Sequence, residues 1–115
     1  MYIWRERVSG DATADIVNTG LFPLDVLDGF KIRPGFFRMN GAYQTANGVS
    51  FTISSHNATS CTLLLFKPQE TEPYGRIKIP DSYRIGDTYS ILVFDIKIDE
   101  LEYAFQMEGP NDPSA

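Results

Sequence analysis

The sequence predicts an all-β domain, an immunoglobulin-like β-sandwich, and three observations carry that expectation. Short runs alternate apolar with polar residues: Val49, Phe51 and Ile53 interleave with Ser50, Thr52 and Ser54, as in a strand with one dry and one wet face. Seven prolines and nine glycines interrupt the chain, and no long stretch keeps a helical period. Between the alternating runs lie residues suited to turns: Ala46-Asn47-Gly48, Ser55-His56-Asn57, Lys67-Pro68-Gln69 and Arg84-Ile85-Gly86-Asp87. Several short strands separated in this way are the pattern of a sandwich.

Taken in order, the elements begin with "YIWRERV", which reads as a short strand, followed by the turn-rich "SGDATADIVNTG". "LFPLDVLDGF" then mixes large apolar residues with Pro and Asp. Residues 1–30 are expected to form an extension that packs on the sandwich or on a neighbouring domain. Otherwise Phe22, Leu24, Val26, Leu27 and Phe30 would make an exposed apolar patch in need of a partner. Residues 31–115 are expected to hold the sandwich and an exit linker. Within it, Cys61 to Phe66 is apolar on nearly both faces, as a central strand should be. Gly75 to Ile79 alternates until Pro80 stops it, Thr88 to Ile96 is rich in β-branched and aromatic residues, and Glu102 to Glu108 is the last strand. The two sheets should close over Phe51, Leu63, Leu65, Val93 and Phe105. Beyond them, Gly109-Pro110-Asn111-Asp112-Pro113 leaves the sheet abruptly, so the sequence reads as the front piece of a longer polypeptide.

The bulk numbers limit the partners. A chain of 115 residues fits one domain with a single core, and 43% hydrophobic with 13% aromatic residues is the composition of a folded protein. A net charge of -5 disfavours nucleic acid and anionic membranes, both of which call for a basic surface. It is compatible with a neutral polymer such as a glucan. The single cysteine, Cys61, has no partner for an internal disulfide. No apolar run approaches the ~20 residues that cross a bilayer, and a cytoplasmic location is the expectation.

Candidate chemistry is sparse. His56 is the one histidine; paired with Cys61 as nucleophile it would still need an orienting carboxylate. Cys61, however, opens an apolar strand, where a thiol behaves as a small hydrophobe. A zinc site would have to draw every further ligand from carboxylates, so neither a metal nor a cofactor is expected. Asp95, Asp99, Glu100 and Glu102 fall in "DIKIDELEY" and read as a solvated turn rather than a glycosidase pair. The aromatics Trp4, Tyr43, Tyr74, Tyr83 and Tyr89 lie near turns or strand edges. An exposed ring there would stack on the C–H face of a sugar, although most aromatics in small domains are packing residues.

Read as one stretch, "RPGFFRMNGAYQTANGVSFTISSHNATSCTLLLF" (33–66) contains Arg33-Pro34-Gly35, Gly41-Ala42, Gly48-Val49-Ser50-Phe51 and Asn57-Ala58-Thr59 leading into Leu63-Leu64-Leu65-Phe66. "GRIKIPDSYRIGDTYSILVF" follows, and the chain closes with Tyr103, Phe105 and the exit Gly109-Pro110-Asn111-Asp112-Pro113. In this order, over about residues 31 to 113, the motifs resemble carbohydrate-binding module family 48. This is the N-terminal domain of bacterial glycogen debranching enzymes, isoamylases and pullulanases.

The resemblance implies a sandwich whose exit leads to a catalytic barrel of glycoside hydrolase family 13, which cuts α-1,6 branches in glycogen or starch. The hydrolase carboxylates would then lie downstream, and the present chain would be a non-catalytic accessory domain packing beside the barrel and helping to shape the substrate cleft. The alternative is an independent α-glucan-binding module. In that case Tyr74, Tyr83 or Tyr89 would supply a stacking face, and Lys67 or Asn111 the polar contacts. Strong binders in the family, such as the glycogen-binding domain of the AMP-activated kinase β subunit, use two tryptophans. At those places this sequence has Lys67-Pro68-Gln69-Glu70 and Gly109-Pro110-Asn111, with no aromatic.

Overall fold

The computed structural model describes the backbone of residues 2–7 and the whole of residues 21–109. Among these residues ten strands fold into two antiparallel sheets, a β-sandwich, with two short 3₁₀ turns at Asp81–Tyr83 and Ile98–Glu100. The strands are β1 (Tyr2–Arg7), β2 (Asp25–Leu27), β3 (Phe30–Pro34), β4 (Gly41–Gln44) and β5 (Gly48–Ser54). They continue with β6 (Ser60–Phe66), β7 (Gly75–Lys78), β8 (Arg84–Ile85), β9 (Thr88–Phe94) and β10 (Glu102–Glu108). One sheet runs β1-β10-β6-β7; the other runs β2-β3-β9-β5-β4, with β8 also pairing on β9.

Strand alternation places the core. From β5, β6, β9 and β10 the residues Val49, Phe51, Cys61, Leu63, Leu65, Ile91, Val93, Tyr103 and Phe105 turn inward into one buried cluster. The five side chains expected to close the core, Phe51, Leu63, Leu65, Val93 and Phe105, are all fully buried. Tyr103 sits between Phe51 and Phe105, with ring centroids 5.2 and 5.5 Å away in tilted and edge-on arrangements, a favourable geometry for aromatic quadrupoles.

Two features depart from a simple reading of the sequence. Ser50 and Thr52 alternate with the core residues of β5, yet they are buried too. The segment following β3 lies across them: Phe36 N–H donates to Ser50 Oγ (3.0 Å), and Thr52 Oγ1 donates to the Phe36 carbonyl (3.1 Å). Thr52 and Ser90 hydroxyls also meet at 2.6 Å, so this second face is sealed by hydrogen bonds. The strand expected to reach Ile96 ends at Phe94, because Asp95 takes a left-handed conformation (φ 64) and its N–H turns to the Asn47 carbonyl at 3.0 Å.

The first thirty residues contribute strands. β1 pairs with β10 along its length, and β2 pairs with β3. Leu27 and Phe30 fold against the core cluster, while Phe22, Leu24 and Val26 remain exposed.

Candidate functional site

The site is built where the outer strands of the two sheets approach each other, β2 from one and β7 from the other. It starts with a tight hairpin. Asp28 (φ 52) and Gly29 (φ 83) join β2 to β3 with both residues in the left-handed region, and Leu27 pairs with Phe30 across them. Asp-Gly is the favoured dipeptide for this two-residue turn. The turn points the Asp28 carboxylate across the gap, where Oδ2 accepts the Arg76 backbone N–H of β7 at 2.9 Å.

On one side of this bridge the Phe30 ring lies over Gly75, so closely that a Cβ there would come within 2.7 Å of the ring. Phe30 also holds Tyr74, with ring centroids 6.2 Å apart at 52°. Further along, the Tyr83 hydroxyl donates to Asp25 Oδ2 of β2 at 2.6 Å. Between the two bridges opens a cleft of about 490 Å³ lined by Leu27, Asp28, Arg76, Lys78, Ile79, Pro80 and Asp81.

The ladder fixes which backbone groups face this cleft. Along an antiparallel pair, backbone N–H and C=O groups point alternately toward and away from the partner strand. Arg76 N–H bonds outward to Asp28, and Ile79 N–H bonds inward to Cys61. Lys78 has the parity of Arg76, so its N–H and C=O face the gap. The cleft therefore offers backbone groups, two cationic and two carboxylate side chains, and the apolar atoms of Leu27, Ile79 and Pro80.

The five residues singled out from the sequence fall in different places. Tyr74 is 41% exposed at the end of the seam, its phenol pKa raised by partial burial and then by the nearby Glu100 carboxylate. Tyr83 (3% exposed) and Tyr89 (0%) are core residues, with no ring face open to stack on a sugar. Tyr83 is held by Asp25; burial, followed by that hydrogen bond and the Asp25 charge, pushes its pKa upward. Tyr89 lies under the Arg84 guanidinium, 5.0 Å from the ring centre, and its hydroxyl reaches the Ala58 carbonyl at 3.4 Å.

Lys67 is exposed in the turn after β6. Its carbonyl accepts Glu70 N–H at 3.0 Å, and Gln69 N–H donates to Glu102 Oε2, also at 3.0 Å. Lys67 and Tyr74 flank the β6–β7 connection at one end of their sheet. Gly109 packs against Asn57 at the other end, roughly 20 Å away along the seven-residue strand β6. Asn111, Trp4 and the final Asp-Pro lie outside the described side chains.

Tyr89 shares strand parity with Ile91 and Val93, and that alternation is a sign of burial readable in the sequence. Asp28, Arg76 and Lys78 were not anticipated. "LDGF" carries the hairpin signal, but the meeting of β2 with β7 follows from topology, for which no local signal exists.

The other candidate groups are separated from one another. His56 Nδ1 lies 3.3 Å from Asp87 Oδ2, with both side chains well exposed, whereas Cys61 faces the core and burial pushes its thiol up to about 12. Asp95, Asp99 and Glu100 are exposed, as expected for a solvated turn, but Glu102 is not part of it: it opens β10, is buried and accepts the Gln69 N–H. Among the described residues no His, Cys, Asp or Glu cluster suited to a metal occurs, and no helix is long and apolar enough to cross a membrane.

Comparison with known proteins decides the family. The sequence pattern of carbohydrate-binding module 48 (isoamylase N-terminal domain) matches residues 39–115. The chain belongs to that family. A relative, the glycogen debranching enzyme of Serratia proteamaculans (strain 568), is 31% identical over 84 residues. The match covers 73% of this chain but 12% of the relative, so the module 48 domain described here corresponds to a small part of that enzyme. The matched region begins before β4 and takes in β4 to β10; β2 and β3, which form one wall of the seam, precede it.

Proposed function

We propose that this module 48 domain is a non-catalytic accessory part of an α-glucan debranching enzyme of glycoside hydrolase family 13, packing beside the catalytic barrel and helping to shape its substrate cleft. The observation that carries the reading is the alignment. Nearly three quarters of the chain matches a glycogen debranching enzyme, and the matched stretch is a small fraction of that enzyme's length. The described residues support it. His56 and Cys61 are apart in environment, one exposed and one in the core, and Asp95, Asp99 and Glu100 of the turn before β10 are exposed.

The proposed ligand is an α-1,4/α-1,6-glucan, the proposed partner the catalytic barrel of the same polypeptide, and the proposed location the bacterial cytoplasm. Neither nucleic acid nor membrane is expected to bind. The test is calorimetric titration of the chain with maltoheptaose, alongside an assay for reducing ends released from glycogen. No release is expected, and affinity should be no tighter than about 1 mM, roughly -4 kcal/mol. Hydrolysis would overturn the reading. A markedly tighter dissociation constant would favour the alternative, an independent glucan-binding module, for which the exposed ring of Tyr74 is the supporting observation.

A further inference from the structure

We propose that Asn47-Gly48, in the turn joining β4 to β5, is a deamidation site that the folded chain holds shut, and that reaction there prevents the chain from refolding. The inference involves no ligand and is independent of the accessory role.

The dipeptide supplies the chemistry. Glycine has no side chain to hinder its amide nitrogen, so once hydroxide removes that proton, Gly48 N can attack Asn47 Cγ. A C–N bond forms, the side-chain nitrogen leaves as ammonia, and a five-membered succinimide remains. Water then opens the ring at either carbonyl. One product is an ordinary aspartyl link. The other is an isoaspartyl link, in which the backbone runs through the side-chain carbon and is one atom longer.

The fold opposes each step. Ring closure requires the peptide unit between Asn47 and Gly48 to rotate toward Cγ. That unit is pinned at both ends: its carbonyl accepts Asp95 N–H at 3.0 Å, and its N–H donates to Thr45 Oγ1 at 3.0 Å. Thr45 is buried; its hydroxyl donates to the Gly48 carbonyl at 2.9 Å and accepts Asn47 N–H at 3.1 Å. Thr45 N–H and Gln44 Nε2 donate to the same Gly48 carbonyl at 2.7 and 3.1 Å. Asn47 Oδ1 is buried and has no hydrogen-bond donor among the described residues, so negative charge gathering on it during the attack would go unstabilised.

The products are misfits for a different reason. An extra backbone atom before Gly48 would displace the residue at which β5 first meets β9, Gly48 against Phe94. There is no slack at that point, since even a Cβ on Gly48 would lie 2.0 Å from the Val93 carbonyl oxygen. The aspartyl product keeps the backbone but places a carboxylate oxygen where Oδ1 lacks a donor, a costly burial. Opening of this hairpin therefore exposes the chain to a change that closing does not reverse.

The test is peptide mapping by mass spectrometry of the 115-residue chain, aged at mildly alkaline pH in buffer and in guanidinium chloride. Asn40-Gly41, the same dipeptide elsewhere in the sequence, is the internal standard. In denaturant both pairs should convert at similar rates. In buffer Asn47 should convert about a hundredfold more slowly than in denaturant, because it reacts only through the open fraction of the hairpin. Thr45→Ala should raise the rate in buffer about tenfold, the upper range for one neutral hydrogen bond, while Thr45→Ser should leave it unchanged. If alanine at this position prevents folding, the two conditions applied to the unaltered chain still decide. On dilution from denaturant, chains carrying the isoaspartyl link at position 47 should collect in the fraction that fails to refold. Conversion of Asn47 as fast in buffer as in denaturant, or an unchanged rate in a folded Thr45→Ala variant, would overturn the protection. Isoaspartyl chains that refold as fully as unreacted ones would overturn the consequence.

Discussion

Glycine at positions 35 and 48 is fixed by what a methyl group would strike. A Cβ on Gly35 would lie 2.4 Å from Ser90 Oγ and 2.6 Å from Ser50 Oγ, and one on Gly48 would lie 2.0 Å from the Val93 carbonyl oxygen. Both residues sit in the motifs that carried the family resemblance, so those motifs record close backbone packing rather than contact with a ligand. Gly48→Ala should therefore cost about 3 kcal/mol or more, at the upper end for overpacking. Gly35→Ala should cost less, since hydroxyls can rotate away. At Gly86, where φ is 59 and a Cβ meets nothing, alanine should cost only the roughly 1–2 kcal/mol of a left-handed residue. Urea midpoints give the order, and Gly86→Ala as the most damaging of the three would contradict it. The tyrosines allow a second prediction. Because the folded state holds the Tyr83 proton more tightly than the unfolded chain does, its contribution is complete below about pH 10 and declines as pH rises toward its folded pKa. Tyr83→Phe should show a shallower loss of stability above pH 10; an unchanged slope would refute the assignment. Cys61, raised to about 12 by burial, should resist thiol reagents in the native protein at pH 8 and react once urea unfolds it. Rapid labelling without denaturant would place the thiol elsewhere.

At the level of the element, most of the sandwich was readable and the seam was not. The period of two in β5, the apolar run of β6 and the β-branched run of β9 each identify a strand, because burial on one or both faces is written into neighbouring residues. The Ser50–Thr52 face looked wet because polar residues usually are; the segment after β3 that covers it is remote in sequence. "LDGF" was read within an extension, although its Asp-Gly pair forms a two-residue hairpin turn. The cost of missing it was the site, since Asp28 is the group that bridges the sheets. That bridge makes a sharp prediction for hydrogen exchange. Arg76 and Lys78 amides both point away from β6, but among the described residues only Arg76 has an acceptor. The Arg76 amide should be protected and that of Lys78 should exchange quickly. In Asp28→Ala the Arg76 protection should disappear while that of Ile77, bonded within the ladder, persists. Continued protection of Arg76 in the variant would show that the Asp28 contact is not formed in solution.

For the molecule as a whole, the same accounting separates structure from role. A core closed by Phe51, Leu63, Leu65, Val93, Tyr103 and Phe105 explains why the chain folds, and none of these residues reaches solvent. Among the described residues, the seam between β2 and β7 brings opposite charges together around an apolar floor. An acidic chain of this kind fits a neutral polysaccharide better than a polyanion. On the proposed reading its work is inseparable from an enzyme in the same polypeptide. The most direct test uses antiserum raised against residues 21–109 to isolate, from the source cells, the polypeptide that carries this domain, followed by measurement of its mass and its α-1,6-glucan hydrolysis. A species several-fold heavier than the 12.9 kDa of the present chain, able to debranch glycogen, is the predicted result. A 12.9 kDa species with no associated glucan hydrolase would contradict the proposed role.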